Sequence, residues 1–195
     1  SFLTEGEALV TTSWDVLGGQ AQAAEEVLVF DDNGGHQGVS AAEYLARAGS
    51  KVTYVTPERA VAPDIGGTNY PAYFKAFGEL GVEITVARRL TGVRRAGNKL
   101  EAALWDDYAK AEQVIPFDQV VVEHGTLPMD EVYFDLKPDS VNNGEVEQQA
   151  LLSGQTQTLT RNPEGRYRLF RVGDAVASRN VHAAIYDSLR LMKDV

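Results

Sequence analysis

A run of strand formers, Val27-Leu28-Val29-Phe30, passes into Asp31-Asp32-Asn33-Gly34-Gly35-His36-Gln37-Gly38. Glycines between a strand and a helix let a diphosphate approach the backbone, and the helix N-terminus adds partial positive charge. Gly35 and Gly38 have the spacing of the last two glycines of G-x-G-x-x-G. Asn33 stands at the first, where asparagine tolerates positive φ better than most residues. Gly35 and Gly38 are therefore candidate nucleotide-binding residues, with NAD(H) as the ligand this pattern suggests. Two features oppose that reading. Asp31 and Asp32 lie where a diphosphate would sit, and like charges repel. The next strand ends at Thr56, with Glu58 beyond Pro57, so the acidic ribose partner is not in its expected place. The alternative is a strand–helix–strand turn whose ligand binding has been lost or altered.

A second candidate is Gly173-Asp174, between an apolar run and a helix. An aspartate there can accept hydrogen bonds from ligand hydroxyls, and glycine permits close approach of the backbone; a helix cap or turn is the plainer reading. His36, His124 and His182 share no i, i+4 spacing and are expected at polar surfaces or caps rather than on a metal. Asp31-Asp32 and Asp106-Asp107 read as turn residues. The sequence contains neither a G-x-S-x-G elbow nor a Walker A loop.

The elements that must position these residues follow from periodicity. Ala41, Ala42, Leu45 and Ala48 recur at helical spacing, Gly49 closes that helix, and Lys51 to Thr56 forms the next strand. Strand, loop, helix and strand within about 30 residues make a βαβ unit with parallel strands. A loop over 58–70, a helix over 71–80 and a strand over 82–86 come next. The period then changes: 90–95, 100–105 and 113–117 read as an antiparallel meander, and 119–123 as another buried strand. Beyond 126 the pattern weakens, with a short helix over 148–152, a strand over 167–172 and a final helix over 181–193.

The chain has 195 residues, enough for one or two domains and a substantial core. A net charge of −10 disfavours nucleic acid and anionic membrane surfaces as partners. No apolar run approaches the roughly 20 residues of a membrane-spanning helix. With no cysteine, the chain itself offers neither thiol chemistry nor a cysteine-ligated cluster. No secretory signal is evident, and a cytoplasmic location is expected. The first residue is not Met, so the chain is expected to be processed or cut from something longer.

Five stretches together resemble a known family. Val27–Asp32 with its Gly loop, Ala41–Ala46 and Val52–Pro57 look like an inner nucleotide-binding-like domain; Val120–Pro128 looks like that domain's exit; Val172–Ala184 looks like a C-terminal flavin-reductase signature. The resemblance is to the multidomain NADH:flavin oxidoreductases of the trimethylamine dehydrogenase and 2,4-dienoyl-CoA reductase type. It implies an N-terminal barrel with FMN, a 4Fe-4S cluster and two nested Rossmann-like domains, the outer binding FAD or ADP. Gly173 and Asp174 carry over to the outer domain's corner, where only half of that site is present. Gly34, Gly35 and Gly38 carry over to the inner loop. Asp31-Asp32 favours the amine dehydrogenase branch, in which an electron-transfer flavoprotein takes the electrons.

The expectation is thus an α/β fold: a Rossmann-like three-layer sandwich with a parallel sheet and a β-meander, plus a C-terminal segment of a second, incomplete Rossmann-like domain. Residues 1–19 are expected as a linker, 20–127 as the inner domain and 128–195 as the outer segment. The parent is expected to be an oxidoreductase, and this portion inactive alone. It would pack on the missing barrel, and an unpaired strand edge would favour self-association. The rival expectation is a structural or docking module that no longer binds nucleotide.

Overall fold

The structure is a computed structural model and describes residue 3 and residues 5–193. The chain divides into two compact units between Gly125 and Thr126.

In the first unit, strand β1 (Thr11–Thr12) precedes helix α1 (Ser13–Leu17), followed by β2 (Glu26–Asp31), α2 (His36–Arg47), β3 (Lys51–Val55), α3 (Tyr70–Leu80) and β4 (Glu83–Thr85). Strands β5 (Arg88–Ala96), β6 (Lys99–Asp106), β7 (Ala111–Phe117) and β8 (Gln119–Glu123) complete it. Five strands form a parallel sheet in the order β1-β8-β2-β3-β4, and β5-β6-β7 form a separate antiparallel sheet.

The period of two along β2 builds three layers. Val27 and Val29 face the helices with Val52, Tyr54 and Val121, meeting Val16 of α1, Val39, Ala42 and Leu45 of α2 and Phe77 of α3. Leu28 and Phe30 face the other way with Val55, Val120 and Val122, onto Leu90, Val93, Leu100, Ala102, Leu104 and Phe117 of the meander. Every residue from Val27 to Asp31 is buried, which explains the unbroken apolar run.

The sequence predicts a linker over 1–19, but residues 11–17 belong to this unit. Thr11–Thr12 pair with Val121–Val122, and a capping box between Thr12 and Asp15 starts α1, which buries Val16. Residues 1, 2 and 4 of that stretch lie outside the described residues. Further on, Glu5 bridges Gly92 on the free side of β5 and its carbonyl accepts from the Val93 amide at 3.0 Å. Gly6 (φ +84°) lies so close that a Cβ would fall 1.7 Å from the Val93 oxygen.

The second unit holds α4 (Glu131–Leu136), α5 (Gln148–Ser153), a short 3-10 turn at Gly173–Ala175 and α6 (Val181–Met192). Residues 194–195 lie outside the described residues. The strand expected over 167–172 does not form. The Asn142 side-chain amide donates to the Leu169 carbonyl at 2.7 Å and accepts from the Leu169 amide at 2.9 Å. The Tyr167 carbonyl accepts from the Val141 amide at 2.7 Å. A buried asparagine thus meets backbone groups that a neighbouring strand would otherwise serve. Among the described residues, no helix is long and apolar enough to cross a membrane.

Candidate functional site

The carboxyl ends of adjacent parallel strands are where ligands bind in open α/β sheets. Here those ends carry acids. Asp31 closes β2 and Glu123 closes β8, in register with each other and both buried. Asp31 turns beneath the Gly loop. Its Oδ1 accepts from the Asn33 amide at 3.0 Å and the Gly34 amide at 2.9 Å, while Tyr54 donates its hydroxyl to Oδ2 at 2.6 Å. Burial pushes the Asp31 carboxyl above the usual carboxylate range, and Glu123 adds to the shift; Tyr54 and the two amides pull the other way. Burial and the Asp31 charge together push the Tyr54 hydroxyl far up. Glu123 accepts from the Ser13 hydroxyl and, at 2.8 Å, from the Gly125 amide.

The loop is also held from outside. The segment between β3 and α3 lays Pro63 against Gly34, and the Asp64 amide donates to the Gly34 carbonyl at 3.1 Å. Ala62 in that segment takes φ +45°, and its backbone amide faces the Tyr54 oxygen. Tyr73 of α3 reaches Ser40 at 2.9 Å and His36 at 3.3 Å, across the start of α2. His124 pairs with Asp32 at 2.9 Å. Thr56 turns its hydroxyl to the Glu58 amide at 3.2 Å, within its own turn.

Gly38 shows what the loop glycines accommodate. A Cβ there would lie 2.3 Å from the Asp31 carboxylate. The absence of a side chain at Gly38 makes room for the chain's own acid. A dinucleotide diphosphate would have to displace Asp31 from Asn33 and Gly34 and then share the edge with two buried carboxyls. The sequence showed Asp31 as a warning, but Tyr54, Ala62 and Ser13 are distant in the chain and were not selected. The one local signal for Glu123 is an acid ending a buried valine run.

The second candidate pair lies in the second unit. Gly173 is buried at φ +58°, with the space for a Cβ filled by Ala184 of α6 at 3.1 Å. Asp174 is exposed, and among the described residues its carboxylate has no hydrogen bond or ion pair.

No protein-family model matches the chain. Comparison with curated proteins is more telling: the chain is 47% identical over 193 residues, 99% of its length, to the probable N-methylproline demethylase of Rhizobium meliloti (strain 1021). The chain corresponds to part of the multidomain enzymes of the NADH:flavin oxidoreductase type. Within that family it is also 41% identical over 191 residues, 96% of its length, to the N,N-dimethylglycine/sarcosine dehydrogenase of Chromohalobacter salexigens. The chain spans 28% of the length of each of these two relatives. Its fold is that of the corresponding part of histamine dehydrogenase from Rhizobium sp. 4-9, with a TM-score of 0.71 at 21% identity, covering 99% of this chain and 27% of that one.

Proposed function

We propose that this chain is the C-terminal nucleotide-binding-like part of a flavin-dependent oxidoreductase that demethylates N-methylated amino acids, and that it does not turn over alone. The observation that carries the proposal is the pair of relatives matched along nearly the whole chain. Both are named for N-methyl amino acids: N-methylproline in one, dimethylglycine and sarcosine in the other. In such a reaction the N-methyl group loses two electrons and a proton to give an iminium. Water then adds, releasing formaldehyde and the amine with one methyl fewer. FMN, when bound in the parent's barrel, would accept the two electrons, and a cysteine-ligated 4Fe-4S cluster would pass them on. With no cysteine, this chain supplies no ligand to that cluster. Its own contribution is Gly173 and Asp174, whose free carboxylate would hold hydroxyls of FAD or ADP. An electron-transfer flavoprotein is the acceptor this reading favours.

The test is formaldehyde release from N-methylproline, dimethylglycine and sarcosine with an artificial electron acceptor. The 195-residue chain alone should give none, and a protein joining it to the barrel and cluster regions should give turnover. Turnover by the chain alone, or a full-length protein that reduces alkenes and ignores N-methyl amines, overturns the proposal. Loss of ADP binding in Asp174→Ala would tie the nucleotide to that corner.

A second reading concerns the first unit alone. Asp31 on the loop amides favours a Rossmann-like module that no longer binds nucleotide and serves structure or docking within the parent.

A further inference from the structure

We infer that Asp31 is a built-in replacement for a ligand diphosphate: its carboxylate fills the amide cradle at the base of the Gly loop and closes the sheet edge to dinucleotides. The inference rests on the second reading above and names the residue responsible for it.

Three sets of contacts converge on this carboxylate. Asn33 and Gly34 turn their amides inward to Asp31 Oδ1, as loop amides turn to a bound phosphate oxygen. Gly38, the loop's last glycine, brings the first turn of α2 against the same carboxylate. Tyr54, from the neighbouring strand, holds the second oxygen. The Tyr54 hydroxyl also faces the Ala62 amide, so one buried chain of polar groups joins the Gly loop to the segment lying over it. Ala62 holds a left-handed backbone conformation that disfavours any residue with a Cβ. Local strain of this kind persists where surrounding contacts over-determine it, and here those contacts include Tyr54 and the Asp64–Gly34 hydrogen bond.

A tethered carboxylate has an advantage over any free anion. It loses no translational freedom on binding, because folding has already placed it. An incoming diphosphate would also bring charge next to Asp31 and Glu123 in a buried setting where like charges are weakly screened. Removing the carboxylate should therefore restore an anion site, provided the loop keeps its shape.

The experiment titrates ADP and NADH into the 195-residue chain and into Asp31→Gly and Asp31→Ser, by calorimetry and by the amide resonances of Asn33 and Gly34. Wild type should leave both resonances unmoved at millimolar nucleotide. Each folded Asp31 variant should bind roughly tenfold tighter or more, with both resonances shifting. Tyr54→Phe is the control: it loosens the overlying segment but leaves the carboxylate on the amides, and it should bind no better than wild type. Heat without shifts at Asn33 and Gly34 marks binding elsewhere in the chain and counts as no binding at this loop. Nucleotide binding by wild type with those shifts overturns the second reading itself. A silent wild type with folded Asp31 variants that are equally silent leaves that reading standing and overturns the assignment to Asp31, as does a gain in Tyr54→Phe equal to that in the Asp31 variants. Should neither Asp31 variant fold, pyrophosphate is titrated into wild type. Resonances that move overturn the inference; where they stay, Asp31→Ala in the same titration decides, new shifts at Asn33 and Gly34 upholding the assignment to Asp31 and unmoved resonances overturning it.

Discussion

In residues 5–125 most side chains hidden from solvent are apolar ones on strands and helix faces, Val27, Leu28, Val29, Leu45, Val52 and Val120 among them, with Ser13, Asp31, Thr56 and Glu123 among the buried polar exceptions. In residues 126–193 the fully hidden side chains are those of Ser140, Asn142 and Gln157, with Ala150 and Leu191 as the buried apolar residues. The second unit does not lack apolar residues. Leu127, Met129, Val132, Val181, Ile185, Leu189 and Met192 are exposed, and three of them follow one another at i, i+4 and i+8 along α6. The first unit owns layers on both faces of a sheet and can bury its strands. The second has no sheet among its described residues, so its chain is held by directional bonds: Gln157 bridges both backbone groups of Glu147, and Ser140 ties Lys137 to Gly144. Without a facing layer, apolar surface gains nothing from folding, however much the sequence supplies.

Core truncation should separate the units most. Leu45→Ala should cost about 3 kcal/mol, because a fully buried leucine leaves a cavity that packed neighbours fill only in part. Leu191→Ala should cost well under half of that. Urea denaturation followed separately in each unit measures both, and equal losses would break the comparison. Next comes Asn142→Ala. It strands the Leu169 amide and carbonyl and the Glu145 carbonyl, and should remove about 2 kcal/mol from the second unit. Limited proteolysis should then cut within 126–193 before it touches the parallel sheet. Early cleavage of the sheet would show that the first unit draws on those bonds.

The third expectation is a pH dependence confined to the first unit. The Asp31 carboxyl is raised in the folded chain, so the folded state holds its proton more tightly than the unfolded state does. Its contribution to stability is therefore greatest below the ordinary carboxylate value of about 4 and declines as pH rises through the folded value. Asp31→Asn removes that decline, so its stability relative to wild type should rise across the same range. Urea midpoints at stepped pH measure this, and a constant difference would place the raised carboxyl elsewhere. The smallest effect should come from Arg161→Ala. Its pair with Glu145 is about half exposed on both sides, and the unfolding midpoint should not move measurably.

The first unit was legible because its signals are local. Alternation along Val27–Phe30, helical spacing through Ala41, Ala42 and Leu45, and the change of period near Leu90 each lie within about ten residues. The strand expected over 167–172 failed because a strand needs a partner, and Asn142, 27 residues away, took that place. Strand β1 has two residues and offers no period to read; its place is set by β8 and by the Thr12–Asp15 box. At the site, the loop and its two acids were visible, but the direction of their effect was not. Whether Asp31 repels a ligand or replaces it depends on Tyr54, 23 residues on, and on the segment beyond it.

The sheet edges carry a consequence for how the chain behaves in a crowded solution. The parallel sheet tapers to two residues at β1 and three at β4, and β7 carries Pro116, which has no amide to offer a newcomer. The nine-residue β5 has no such guard of its own; Glu5 and Gly6 lie along its edge instead. Among the described residues, Leu3 is the one core residue that trimming past Gly6 would remove, yet the cut would uncover an unpaired strand edge. Shortened versions that begin at Glu7 or later should precipitate at concentrations where the longer chain stays dispersed.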